Sequence, residues 1–354
     1  MTSETRYREI DVAGTPLQMG RQIGEAARDE VRGFCEMALT QVNKTVRVSR
    51  ERALLVAHRS MEFAQKYSPD MTQELRGMAE AAGVALEDLM LLQVRNQFTP
   101  EPDDACTSFS LLATSAPRGP AFVGQNWDND ADLDPFTIVL RRRPLTKPAL
   151  MCLTQAGLIG YIGLNDAGMA LCLNTLPAPS RPYGVPHYFT VRGVLGTTNL
   201  GDAVDAVRRA YRAIPANIML ATPDGPANLE VTVDDVHVLR PDDDTRIGHS
   251  NHCVHPDLEP INDQFPELIQ SRSRKRRIDE LLRQLPSPPT VEDLKAVLCD
   301  HQNHPRSICR HRNDDPVYGH WQSVFSVILE PVSRKMHVSR GNPCERPYEV
   351  YHLI

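Results

Sequence analysis

The chain contains no run of about 18 apolar residues, so it holds no ordinary membrane-spanning helix. Its start, MTSETRYREIDVAGTP, lacks the apolar stretch of a signal peptide. A cytoplasmic protein is therefore expected. Basic charge is not in excess: 39 Lys and Arg stand against 45 Asp and Glu, a net charge of −6. That balance argues against a nucleic-acid or polybasic membrane surface. None of the eight cysteines forms a C-x-x-C pair, which argues against a zinc ribbon, an iron–sulfur cluster and a thioredoxin-type site. There is no H-E-x-x-H, internal repeat, low-complexity linker or nucleotide-binding motif.

What is present is an ordinary globular composition, 41% hydrophobic and 24% charged over 354 residues. Residues 1–100 read as helical, over 17–43, 47–66, 71–83 and 86–95. Met19, Ile23, Ala27, Val31 and Phe34 recur at helical spacing. The acidic, two-proline stretch 99–105 predicts an exposed loop. Strand patterns then dominate: 107–114, 121–125, 137–143, 150–155, 158–164 and 169–174, with a hairpin turn at Asn165–Gly168. Helices are expected at 188–196 and 200–213, strands at 217–221, 228–233 and 236–240, and helices at 271–285 and 290–299. Strands close the chain at 323–330, 335–339 and 349–353. Helices, many antiparallel-looking strands, helices, then strands do not suit a doubly wound parallel sheet. They suit packed sheets covered by helices, an α+β fold.

The informative junction is Asp104-Ala105-Cys106-Thr107, where an acidic loop ends at a small residue and a cysteine opens a strand. Gly124-Gln125-Asn126-Trp127-Asp128 follows at another strand end. Far downstream come His249-Ser250-Asn251-His252 and Ser307-Ile308-Cys309-Arg310. With Gly14-Thr15-Pro16 through Gly20-Arg21-Gln22-Ile23-Gly24, and Ile162–Gly168 with Asn174, these make six motifs in order. Together they resemble the penicillin acyltransferase family (acyl-CoA:6-aminopenicillanic acid acyltransferases) within the N-terminal-nucleophile hydrolases, almost end to end.

That resemblance implies a single four-layer αββα domain over 1–354, made as an inactive precursor. Cleavage between Ala105 and Cys106 would leave a small chain, 1–105, and a nucleophile-bearing chain, 106–354, that stay associated. The chemistry of such a site can be argued independently. A thiol is mostly protonated at neutral pH and needs a base. An α-amine titrates at about 7.7–8.0, close to working pH. A cysteine that becomes a chain's first residue therefore carries its own base. Asp128 would orient that amine, and Asn251 would donate to the oxyanion, a contact worth roughly 10²–10³ in rate. Asn126 or a backbone amide would be a second donor. Thr107, Trp127, Ser307 and Arg310 are supporting or substrate-binding candidates. No arginine follows Cys106, unlike in bile salt and penicillin V hydrolases, so a cation beside the thiol is expected to be missing.

His249, His252 and His255 recur every third residue, with His301, His304 and His311 beyond. Neither a metal site nor a papain-like cysteine–histidine dyad is assigned to them. The basic run 272–277 reads as a solvated face of an amphipathic helix. The reading reached is a self-processing cysteine amidohydrolase or acyltransferase. It passes an acyl group from an amide or thioester donor, a coenzyme A thioester included, to water or an amine. It uses small-molecule substrates and no cofactor, metal, nucleic acid or membrane. The alternatives are a dipeptide or N-acyl amino acid amide hydrolase of the same fold and an unprocessed small-molecule binding module.

Overall fold

The computed structural model describes residues 5–44, 46–98, 106–116, 119–241, 245–265, 269–315 and 319–354. The acidic loop 99–105, with Ala105, lies outside them. The chain opens on β1 (Arg8–Gly14) and then builds a helical layer: α1 (Pro16–Ala26), α2 (Arg28–Val42), α3 (Arg50–Tyr67), α4 (Pro69–Ala82) and α5 (Leu86–Val94). Thr15 starts α1 with a capping box closed by Gln18, and Pro16 supplies a first turn with preset φ. α1 and α4 cross backbone to backbone. A Cβ on Gly20, Gly24 or Gly77 would lie 1.9–2.4 Å from a carbonyl oxygen of the facing helix. Gly20 and Gly24 of the opening motif are therefore packing residues. The expected helix over 17–43 breaks at Ala27, whose backbone leaves the helical region. β1 is missing from the sequence expectation. Its Ile10 and Val12 alternate inward, and the strand forms by pairing in parallel with β4.

The strands follow as β2 (Cys106–Leu112), β3 (Ala121–Asn129), β4 (Thr137–Pro144), β5 (Leu150–Gln155), β6 (Ile162–Asn165) and β7 (Ala170–Asn174). Asn165 Oδ1 accepts from the amides of Ala167 and Met169, and Gly168 takes φ +89°, so the β6–β7 turn is fixed locally. Next come α6 (His187–Val194), α7 (Leu200–Arg208), capped by Asn199, and β8 (Ala216–Thr222), β9 (Gly225–Val231), β10 (Val236–Leu239) and β11 (Arg246–His249). α8 (Ile269–Gln284) and α9 (Val291–Leu298) precede β12 (Gln322–Glu330), β13 (Lys335–Arg340) and β14 (Tyr348–His352). Thr290 and Asp293 form the capping box of α9.

Among the described residues the strands form two sheets. One runs β1-β4-β5-β6-β7-β8-β9-β10 and the other β11-β2-β3-β12-β13-β14. The helical layer α1–α5 packs on the first sheet, the sheets pack face to face, and α8 and α9 cover the outer face of the second. This is the four-layer αββα architecture. Alternation along β2 divides two cores: Cys106 faces the other sheet, whereas Phe109 and Leu111 pack against Ile278 and Leu282 of α8.

Candidate active site

The second sheet carries the site at one end. Cys106 is the first residue of β2, is buried, and stands opposite Trp127 of β3. Trp127 lies flat on Phe325, with ring centroids 4.8 Å apart, and edge-on to Tyr161 at 6.0 Å. An aromatic wall therefore shares the inter-sheet face with the thiol. Cys172 of β7 is part of the same core, and its thiol is raised well above the ordinary range by burial and by the nearness of Cys106.

The Cys106 backbone N–H donates to Asn251 Oδ1 at 2.9 Å. Asn251 sits just past β11, where its own N–H donates to Ser271 Oγ at 2.7 Å. Its amide nitrogen faces Thr175, 2.9 Å from Oγ1 and 3.2 Å from the carbonyl oxygen. The orientation of that amide is dictated by Arg274. This guanidinium donates through Nη2 to Asn251 Oδ1 and through Nη1 to Thr107 Oγ1, each at 2.9 Å, and also to the Cys106 carbonyl. A flipped Asn251 would set donors against donors. Arg274 is buried, which lowers its pKa to about 10, against the raising influence of Asp128, with Arg310 adding to the fall and Cys106 opposing it. It stays charged at neutral pH.

A cation thus stands beside Cys106, contrary to the sequence expectation, and it comes from a position 168 residues away. The basic run is a solvated face at Arg272 and Arg276 but not at Arg274. The missed signal was the helical register: Arg274 lies four and eight residues before the inward-facing Ile278 and Leu282.

Asp128 lies on β3 one residue beyond Trp127, and its Oδ1 accepts from Ser323 Oγ at 2.6 Å. Ser323 Oγ in turn accepts from the Arg310 amide at 3.1 Å. Asn126 is not brought to the thiol as a second oxyanion donor. Its side-chain N–H groups donate to the carbonyls of Leu298 and Ile308, at 2.8 and 2.9 Å, pinning α9 and the 307–310 segment to the sheet. Gln125 works on the opposite face, donating to Leu173 O at 2.6 Å and accepting from Leu173 N at 3.2 Å. It stitches the two sheets together. Ser307 donates to Cys309 O at 2.6 Å and shapes its own turn.

The histidines around Asn251 are positioning groups. His249 is buried with Nε2 2.8 Å from Glu230 Oε1 and Nδ1 2.8 Å from Ser250 O. Glu230 also accepts from the amides of Val254 and His255. Burial works to raise Glu230, but His249 and those amides outweigh it and hold the carboxyl below its ordinary value. His252 bonds Ser271 Oγ at 2.8 Å, and burial, with His249, Arg272, Lys275 and Arg274 adding positive charge, lowers it to about 3. So weak a base does not suit a papain-like dyad.

Two stacked sheets between helical layers make the four-layer fold of the N-terminal-nucleophile hydrolases. Within it, the chain belongs to the acyl-coenzyme A:6-aminopenicillanic acid acyl-transferase family, whose sequence pattern matches residues 115–345. The 40 kDa form of acyl-coenzyme A:6-aminopenicillanic-acid-acyltransferase from Emericella nidulans is 29% identical over 340 residues, covering 94% of this chain and 92% of that protein. Penicillin V acylase from Agrobacterium tumefaciens aligns at 10% identity and TM-score 0.44 over 66% of this chain and 82% of its own. A mutant conjugated bile acid hydrolase from Clostridium perfringens aligns at 10% identity and TM-score 0.45, over 70% and 97%. The family makes this chain an enzyme of the acyltransferase or amidohydrolase kind. No helix among the described residues is long and apolar enough to cross a membrane.

Proposed function

We propose that this protein is a self-processing cysteine acyltransferase or amidohydrolase of the cytoplasm, with Cys106 as its nucleophile. The observation that carries the reading is the contact of the Cys106 backbone nitrogen with Asn251, beside the Arg274 cation. In processing, the Cys106 thiol attacks the Ala105 carbonyl carbon. The Ala105–Cys106 C–N bond breaks, the nitrogen takes up a proton, and a thioester forms. Water hydrolyses it to an Ala105 carboxylate and a free thiol. The single domain then consists of two associated chains, 1–105 and 106–354.

In turnover the new α-amine takes the thiol proton, and the thiolate attacks the acyl carbonyl of the substrate. Asp128 steadies the ammonium that results. Asn251 Oδ1 accepts from the Cys106 nitrogen and Arg274, so the group Asn251 offers the oxyanion is an N–H of Nδ2. The ammonium returns its proton to the leaving amine or thiolate, and the acyl-enzyme passes its acyl group to an amine or to water. Trp127 walls the acyl side. Arg310 and Thr107 act as supports rather than as acid or base. The family and the Emericella relative favour a small-molecule acyl thioester or amide, a coenzyme A thioester among them.

The test is the intact mass under denaturing conditions. The expected result is two pieces of 105 and 249 residues, about 12 and about 28 kDa of the 39.6 kDa total, and a single uncut species in Cys106→Ala. A wild-type chain that stays whole after prolonged incubation would remove the α-amine base and overturn the reading.

A further inference from the structure

Away from Cys106, the turn that follows α9 and the loop between β13 and β14 bring four metal-binding side chains together. His301, Cys309, His311 and Cys344 each offer one ligand atom, and these four atoms lie within 4.8 Å of one another. Cys344 Sγ is 3.3 Å and Cys309 Sγ 3.6 Å from His311 Nε2, the two sulfurs are 3.5 Å apart, and His301 Nε2 is 3.0 Å from His311 Nε2. A tetrahedral zinc ion has bonds of about 2.3 Å to sulfur and about 2.0–2.1 Å to imidazole nitrogen, which separates its ligand atoms by about 3.3–3.8 Å. Three of the four measured separations fall in that range, and the fourth is a few tenths of an ångström short. Both cysteines are free thiols. A thiol is a weak hydrogen-bonding group, so hydrogen bonding alone gives two thiols and two imidazoles little reason to converge.

We propose that His301, Cys309, His311 and Cys344 bind one zinc ion in a closed, structural site. Two thiolates and two imidazoles select zinc over the oxygen-seeking magnesium and calcium. The surroundings are those of a metal site. Glu345 Oε1 lies 3.6 Å from His311 Nδ1, the nitrogen turned away from the cluster, and Asn342 Nδ2 points at Cys309 Sγ from 3.7 Å. The loop carrying Cys309 is pinned by its amide to Asp300 O at 2.9 Å. His301 and Cys344 are exposed, which gives the ion a way in from solvent. The sequence expectation of no metal missed this site because its fourth ligand lies 33 residues beyond His311.

The ion would do more than close a loop. Its ligands Cys309 and His311 flank Arg310, whose amide holds Ser323 Oγ, which holds Asp128. Asn342 ties the same segment by donating to Arg310 O at 2.7 Å. Zinc would therefore lock the backbone that supports Asp128 without touching any reacting group.

The experiment uses the full-length protein, purified without a metal-affinity step and analysed for metal by mass spectrometry. A chelator-stripped sample is then titrated with cobalt(II). About one zinc per chain is expected, together with the visible bands of tetrahedral, thiolate-bound cobalt. Cys344→Ser and His301→Ala, both at exposed positions, should each lose the zinc while keeping the wild-type circular dichroism spectrum. Zinc at under about a tenth per chain and a colourless cobalt titration would overturn the proposal. So would zinc retained in both variants, or a Cys309–Cys344 disulfide as the main species in freshly purified protein.

Discussion

Arg274 shows what one buried charge does. Its guanidinium donates to three oxygens, on Cys106, Thr107 and Asn251, and so fixes where the Cys106 backbone and the Asn251 side chain stand. Removing it strands buried acceptors, at about 1–3 kcal/mol each. We predict that Arg274→Met loses at least about 10²-fold in kcat through misplacement alone. Arg274→Lys should recover little, because one ammonium lacks the planar fork. Steady-state kinetics and intact mass would check both, and wild-type rates in Arg274→Met would contradict the assignment. At this scale the sequence reading and the structure meet in part. The structure brings Cys106 and Asn251, which stand in motifs far apart along the chain, into direct contact. Arg274 hid inside a run of charges that looks solvated until its register with Ile278 and Leu282 is counted. Asn126 was misread because its side chain faces α9, and strand alternation decides that before chemistry does.

Elements formed through their partners were the hardest to foresee. β11 has four residues with weak strand preference and exists by pairing with β2. The turn after it is held from the other sheet by Glu230 and from α8 by Ser271. That construction makes the turn acid-labile. Glu230's folded pKa is below its ordinary 4.5, so its stabilisation is complete above about pH 4.5 and is lost as pH falls through the folded value. His252 is lowered from 6.5 to about 3, so between those values the unfolded chain binds the extra proton and stability declines with falling pH. Urea unfolding at about pH 7 and about pH 5 should show a drop that His252→Gln reduces. A pH-independent midpoint over that interval would contradict it. The capping boxes of α1 and α9 and the β6–β7 hairpin, by contrast, depend on near neighbours in sequence. The Asn165–Gly168 turn and the helix starting at 290 were legible for that reason.

The whole molecule rests on the contact between its sheets, and Gln125, like the Glu230–His249 pair, is a polar tie across it. Gln125→Leu would leave the buried Leu173 N–H and C=O facing an apolar chain. The expected cost is about 2–3 kcal/mol, measured as a lower urea midpoint with an unchanged slope. A loss under about 0.5 kcal/mol would mean that the backbone finds other partners. The αββα layering was legible because strand and helix patterns cluster in blocks. The pairing of β1 with β4 was not, because it joins residues 130 positions apart that no local pattern links.

That pairing bears on how the protein can be made twice. β1 lies within residues 1–105 and β4 beyond Cys106, and Arg6 and Tyr7 reach Val350 and Tyr351 near the far terminus. In the uncut chain these contacts close within one molecule, and folding is first order. A cut after Ala105 changes the molecularity. The same fold then assembles only when two strangers meet, so its melting temperature should rise with protein concentration while that of Cys106→Ala does not.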